Sequence, residues 1–257
     1  KYNIDMRQTI LFLFLFSFLS ISLFAQDSGK FGVEYFGADA SSKIPGAKHI
    51  WLKDNNPIPA FIEFYQGVEP DEEGFLVWSR KAFGFKNDVN YIITRREQDE
   101  IGFAHIRCQL TYNGIPVKDG NFILHSKNGR ILKVNGLFFQ DAKPKNSFSL
   151  SESDALKSAL ADIHATTYKW EIPVEENHLK LETKNSAATY YPKGKLVIIQ
   201  AERNVTSNDF RFAWQFDIYA QAPLSRDYVY VDAQDGSILR KDTRIHTADA
   251  PSTATTG

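Results

Sequence analysis

The sequence predicts an α+β fold made of two related lobes, each a curved antiparallel sheet packed on one helix. Three observations carry this. Residues 105–136 alternate strictly at their start: Ile106, Cys108, Leu110 and Tyr112 point one way, His105, Arg107, Gln109 and Thr111 the other. That is the period of a half-buried strand. Next, Asn113-Gly114, Asp119-Gly120 and Asn128-Gly129 punctuate short apolar runs, and such pairs suit the positive φ angles of tight hairpin turns. Finally, Asn128-Gly129-Arg130-Ile131-Leu132-Lys133 is echoed by Asp235-Gly236-Ser237-Ile238-Leu239-Arg240, so two halves share one plan.

Taken in order, Met6 is the only methionine and is read as the start. Arg7 precedes an apolar run from Ile10 to Phe24, and Ala25 then meets Gln26-Asp27. The run is short against the roughly 20 residues of a membrane span, so residues 6–25 read as a signal peptide cut between Ala25 and Gln26. An uncleaved signal anchor is the alternative. Residues 26–70 form an N-terminal segment, loop-like as far as Gly46, with a short strand at Phe61-Ile62-Glu63-Phe64. Asp71-Glu72-Glu73 reads as a charged helix start. Phe75, Trp78, Ala82 and Phe85 then give one apolar helix face, which Gly84 closes. Tyr91-Ile92-Ile93 opens a strand, and residues 95–100 read as a polar turn. The first lobe spans residues 71–142.

Residues 143–147 are a short linker. Ser149 and Glu152 suggest a capping box, and Leu156, Ala159, Leu160 and Ile163 make a second amphipathic helix. Residues 170–195 look irregular and polar. Strands resume at Leu196-Val197-Ile198-Ile199. Phe212, Trp214, Phe216 and Ile218 alternate with Arg211, Ala213, Gln215 and Asp217 as a core stripe, and Tyr228 to Val231 follow. The second lobe spans residues 147–242. The remainder, 243–257, is rich in Ala, Ser and Thr and reads as an exposed linker.

The residues His105-x-Arg107, Tyr112-x-Gly114-x-Pro116-Val117, Gly120, His125, Gly129 and Asn135-Gly136 resemble the propeptide module of fungalysin- and thermolysin-type zinc metallopeptidases. The second lobe resembles the PepSY module, most typically in the tract Tyr228-Val229-Tyr230-Val231-Asp232-Ala233-Gln234-Asp235-Gly236-Ser237-Ile238, and that module follows the first one in such precursors. The resemblance implies cystatin-like/PepSY-like lobes in a secreted, extracellular precursor, and a catalytic domain beyond Gly257. It also implies a chain that helps this domain fold, inhibits it and is then removed by proteolysis. The partner is the cognate metallopeptidase catalytic domain in cis. Zinc and calcium belong only to that domain. Processing is expected in the linker, near Arg244, His246 and Thr247, where the chain is polar and exposed.

Composition narrows the alternatives. Hydrophobic content of 43% and charged content of 24% are those of a globular protein with a real core. A net charge of −1 argues against nucleic acid and against an anionic membrane surface as partners. No stable membrane anchor is expected once the signal peptide is cut. One cysteine excludes disulfide scaffolds and zinc ribbons; Cys108 reads as a small apolar residue on an inner strand face.

None of the six histidines is followed by Glu, and none has His four residues on. The zinc-peptidase motif is therefore absent. No G-x-S-x-G elbow or phosphate loop occurs either, so this chain is read as non-catalytic, with no metal or cofactor of its own. His105 and His125 sit on neighbouring strands and read as hydrogen-bonding partners rather than ligands. Arg107 faces either solvent or a carboxylate. Asn204-Val205-Thr206 matches a glycosylation sequon by chance. The alternative function is a stand-alone secreted inhibitor acting in trans. A downstream H-E-x-x-H favours the pro-region; a stop codon favours the inhibitor.

Overall fold

The computed structural model describes residues 32–53, 56–201 and 208–245. The signal-peptide reading, the sequon, His246 and Thr247 fall outside them. The described residues lie in one compact unit, Gly32–Gly257. Its first half contains β1 (Val33–Phe36), α1 (Gly37–Lys43), β2 (Ala47–Leu52), β3 (Phe61–Phe64), α2 (Phe75–Phe83), β4 (Val89–Gln98), β5 (Ala104–Tyr112), β6 (Ile115–Lys127) and β7 (Arg130–Gly136). Its second half contains α3 (Glu152–Ile163), β8 (Thr167–Tyr168), a 3-10 turn (Lys169–Glu171), α4 (Pro173–Thr183), β9 (Lys195–Gln200), β10 (Phe210–Ala222), β11 (Leu224–Asp232) and β12 (Ile238–Thr243).

The fold is α+β and mostly antiparallel. One hydrogen-bonded path runs β1-β2-β3-β7-β6-β9-β10-β11-β12, with β4 and β5 stacked onto β6 and β8 onto β10. The halves meet where β6 and β9 pair in parallel at a single point, Val117 against Ile198. One apolar cluster gathers α2 with β2–β7, including Phe75, Phe122, Phe138 and Ile106, and takes in Ile198 and Phe210. Another packs Ala155, Leu156 and Ala159 of α3 on Phe216, Ile218, Val229 and Val231. A small third cluster, with Ala213 and Tyr230, lies on the other side of that sheet, so the stripe on β10 has a buried reverse face too.

The hairpins follow the turn chemistry. Asn113 and Gly114 join β5 to β6 at φ 48° and 80°, and Asn128 and Gly129 join β6 to β7 at 53° and 75°. Asp119-Gly120 is not a turn. It lies inside β6 as a bulge: Gln109 pairs with Asn121 and Thr111 with Pro116, so β6 carries extra residues there. Asp119 takes the positive φ, 67°. The Gln109 amide fastens the loop by donating to the Val117 and Gly120 carbonyls at 2.7 and 3.2 Å.

Other expectations needed correction. The tract before Gly46 is not loop: β1 and α1 occupy it. As an edge strand β1 leaves Val33 and Phe36 exposed, which erases the alternation. Nor is the N-terminal segment apart from the first sheet, since β3 pairs with β7. Helix α2 starts at Phe75, not at Asp71, because Glu72 has stronger partners elsewhere: Arg96 grips both its oxygens and Ser126 donates to one. β4 continues to Gln98, and the turn falls at 99–103. Its polar end is compatible with a strand because it is paired on one side only. Ser151, not Ser149, caps α3, accepting from the Asp154 amide. Helix α4 buries no residue, so it has no stripe to reveal it. The 143–147 linker is pinned: Lys145 donates to Phe210, and Asn146 exchanges hydrogen bonds with Phe212 while reaching Asp232. Among the described residues no helix is long and apolar enough to cross a membrane.

Candidate docking face

Strand alternation decides which residues meet solvent. On β5, Ile106, Cys108 and Leu110 enter the core, which turns His105 and Arg107 outward. On β6, buried Phe122 and Leu124 turn Ile123 and His125 outward. On β7, buried Val134 leaves Lys133 and Asn135 outward. Register then aligns these residues into two rows across the sheet. One row runs Glu97, His105, His125, Lys133, Glu63, His49, Phe36. The other runs Arg95, Arg107, Ile123, Asn135, Phe61, Trp51, Glu34. The four polar motif residues His105, Arg107, His125 and Asn135 therefore share one face.

On that face the two histidines touch. Their Nδ1 atoms are 2.8 Å apart and their rings stand at 80°. His125 Nε2 lies 2.5 Å from Asn135 Oδ1, and His105 Nε2 lies 3.3 Å from Asp99 Oδ2. The Asp99 carboxylate is held in turn by the Phe103 and Ile101 amides, 2.8 and 3.1 Å away. These amides, Phe103 first, together with His105, hold its pKa below the usual value. Burial depresses the pKa of His125, and the charges of His105, Lys133 and Arg107 push the same way, against the Asn135 hydrogen bond. Glu97 sits between Arg95 at 2.6 Å and Arg107 at 3.8 Å.

Two grooves adjoin the rows. One, of about 640 Å³, lies among Trp51, Phe61, His49, Glu34 and Lys53. The other, of about 290 Å³, lies among Thr94, Arg107, Asn121 and Ile123. Asn135 and Gly136 line both. Gly136 is required there: at φ 144°, a Cβ would fall 2.3 Å from the Asn121 carbonyl oxygen and 2.4 Å from Phe122 Cα.

The remaining motif positions build the scaffold. Gly114 and Gly129 sit in the two hairpin turns. A Cβ on Gly120 would crowd Leu110 at 2.9 Å. Tyr112 is buried and donates to Asp88 at 3.3 Å, and burial raises its pKa. Pro116 pairs with Thr111 at the start of β6, and Val117 is the contact to Ile198. Cys108 is buried and its thiol is pushed up to about 12, so it is inert as a nucleophile. Arg244 is tied down rather than loose. Its amide donates to Arg226 at 2.7 Å, its guanidinium donates to Asp217, and it lies 4.6 Å from the Tyr228 ring centre. Asp99, Trp51 and Phe61 were not singled out from the sequence as site residues. Asp99 carried only a turn signal, and the two aromatics lay beyond the first lobe as drawn. Among the described residues, no group of three or more His, Cys, Asp or Glu is placed to hold a metal ion.

Residues 89–138, which build β4 to β7 and this face, match the Fungalysin/Thermolysin Propeptide Motif. The chain thus carries a propeptide motif of thermolysin-like peptidases. It is similar to bacillolysin of Bacillus amyloliquefaciens, 30% identical over 186 residues that cover 71% of this chain and 32% of the relative. It is also similar to thermolysin of Alicyclobacillus acidocaldarius subsp. acidocaldarius, 22% identical over 80% of this chain and 35% of the relative. The chain spans about a third of the length of these relatives. The Bacillus megaterium YpeB C-terminal domain superposes at a TM-score of 0.36 and 8% identity, covering 96% of this chain and 100% of that one. So loose a likeness defines no shared fold.

Proposed function

We propose that this chain is the pro-region of a secreted thermolysin-like metallopeptidase precursor. It assists the folding of the peptidase domain in cis, keeps that domain inactive, and is removed by proteolysis. The observation that supports this best is the coincidence of the propeptide motif with a single solvent-facing array, His105, Arg107, His125 and Asn135, flanked by two grooves. Polar motif residues that a core does not need, set together on a rigid sheet, fit a surface that receives a partner. Secreted proteases are commonly held by a kinetic barrier, and a preformed sheet surface that binds the folding domain lowers it. In the same reading residues 6–25 are the export signal, residues 71–142 and 147–242 are the two related lobes, the second of PepSY type, and processing falls in 243–257.

The test is refolding. The denatured peptidase domain is diluted into buffer with and without residues 26–257. The reading holds if added pro-region raises the yield of active enzyme severalfold. It fails if the yield is the same with an unrelated protein of equal concentration.

A further inference from the structure

We infer that Asp99, His105, His125 and Asn135 form a proton-operated clasp on the docking face, which binds the peptidase domain when closed and releases it when a second proton enters. This rests on the docking reading above and adds its regulation.

The hydrogen bonds fix the proton count. Asn135 presents Oδ1 to His125 Nε2, so that nitrogen carries a hydrogen. Neutral His125 then offers a lone pair at Nδ1, which receives the His105 Nδ1–H across 2.8 Å. On its other side His105 Nε2 faces an Asp99 carboxylate oxygen, an acceptor, so Nε2 carries a hydrogen when the chain is complete. In this arrangement His105 presents N–H groups to both the Asp99 carboxylate and His125 Nδ1. It joins side chains of β5, β6 and β7 to the loop after β4.

A second proton, taken from solvent, has one place to go: His125 Nδ1. Two N–H groups then point at each other, and the rings separate. The surroundings oppose that proton. Lys133 stands beside His125 on β7, Arg107 on β5 adds positive charge, and Lys127 lies further along β6. Opposing them, Glu97 on β4 is shared by Arg95 and Arg107, and Glu63 on β3 is taken up by Lys133 and Lys48. Opening cuts the chain between the two rings, while Asp99 and Asn135 remain acceptors for the outer N–H groups of His105 and His125. Asn135 lines both grooves and is bonded to the His125 ring, so a displaced ring is felt at their shared wall.

The test uses residues 26–257, which contain the whole compact unit. Nitrogen-detected NMR follows both imidazoles from pH 8 to 4, and calorimetry measures binding to the cognate peptidase domain at pH 7.5 and 5.0. His125 is expected to stay neutral to lower pH than a free imidazole and to gain its proton at Nδ1. Between pH 7.5 and 5.0 the wild type is expected to lose severalfold more affinity than a His125→Gln variant loses over the same interval, up to about thirtyfold, since uptake starts below pH 6.5 and one linked proton changes affinity by at most about tenfold per pH unit. Comparing the two chains on one peptidase cancels the titration of the peptidase. Single, independent titrations of the two histidines overturn the clasp. So does a wild-type pH dependence equal to that of His125→Gln. Absence of wild-type binding at both pH values overturns the docking role, while the NMR titration still decides whether the clasp exists.

Discussion

Replacing Gly136 by Ala puts the motif's tightest backbone approach under load. The new methyl would lie 2.3 Å from a carbonyl oxygen and 2.4 Å from a Cα of β6, both of them backbone atoms. β7 must then move away from β6, and the residue must hold φ near 144°, where L-residues are strained. Strain of about 1–3 kcal/mol from the dihedral and a similar amount from overpacking together destabilise the fold by roughly 2–6 kcal/mol. For a domain of this size each kcal/mol lowers Tm by about 2–4 °C, so a fall of at least about 4 °C is expected by scanning calorimetry. Gly129→Ala is the control. Its φ is 75° but no atom lies within 4 Å of the new methyl, so only the dihedral cost remains, about 1 kcal/mol. Equal Tm values for the two variants would refute the close-approach argument.

Three further outcomes follow from side chains. Glu72→Ala removes the partner of Arg96 and of buried Ser126 and is expected to cost about 1–3 kcal/mol in urea unfolding, against under about 0.5 for the exposed neighbour Glu73→Ala. The pKa of His125 is depressed from 6.5 in the folded chain, so its contribution is whole above pH 6.5 and is lost as pH falls from there towards the folded value. Unfolding free energy should therefore begin to fall below about pH 6.5 in the wild type and stay flatter in His125→Gln. Glu72, lowered from 4.5, adds a second loss as pH drops through its folded value. Asp217→Asn frees the guanidinium of Arg244, so limited trypsin digestion should cut after Arg244 several times faster than in the wild type, as read by mass spectrometry.

Much of the first sheet was legible because its signals are local. Alternation in β5 fixes which residues face out, and Asn-Gly pairs have few other uses than tight turns. Asp119-Gly120 carries the same signal, but only tertiary register shows that β6 runs on through it as a bulge. β1 and α4 stayed hidden for one physical reason: neither buries a continuous apolar face, so neither leaves a periodic imprint. Asp71-Glu72-Glu73 misled because a carboxylate near a helix start is equally a free ligand for arginine, and Arg96 lies 24 residues away. The neighbouring placement of His105 and His125 was readable from the meander. Their register pairing, and the addition of Asp99 and Asn135 to one chain, depended on strand register and on a turn displaced to 99–103.

The central claim is that the outward face carrying His105, Arg107, His125 and Asn135 holds the peptidase domain. Titrating the cognate mature peptidase with residues 26–257 tests it most directly, beside the double variant Arg107→Ala/Asn135→Ala. Stoichiometric loss of activity with the wild type, and inhibition at least tenfold weaker with a double variant of unchanged Tm, is the predicted result. Full activity at saturating wild-type chain, or equal inhibition by the folded double variant, would contradict it.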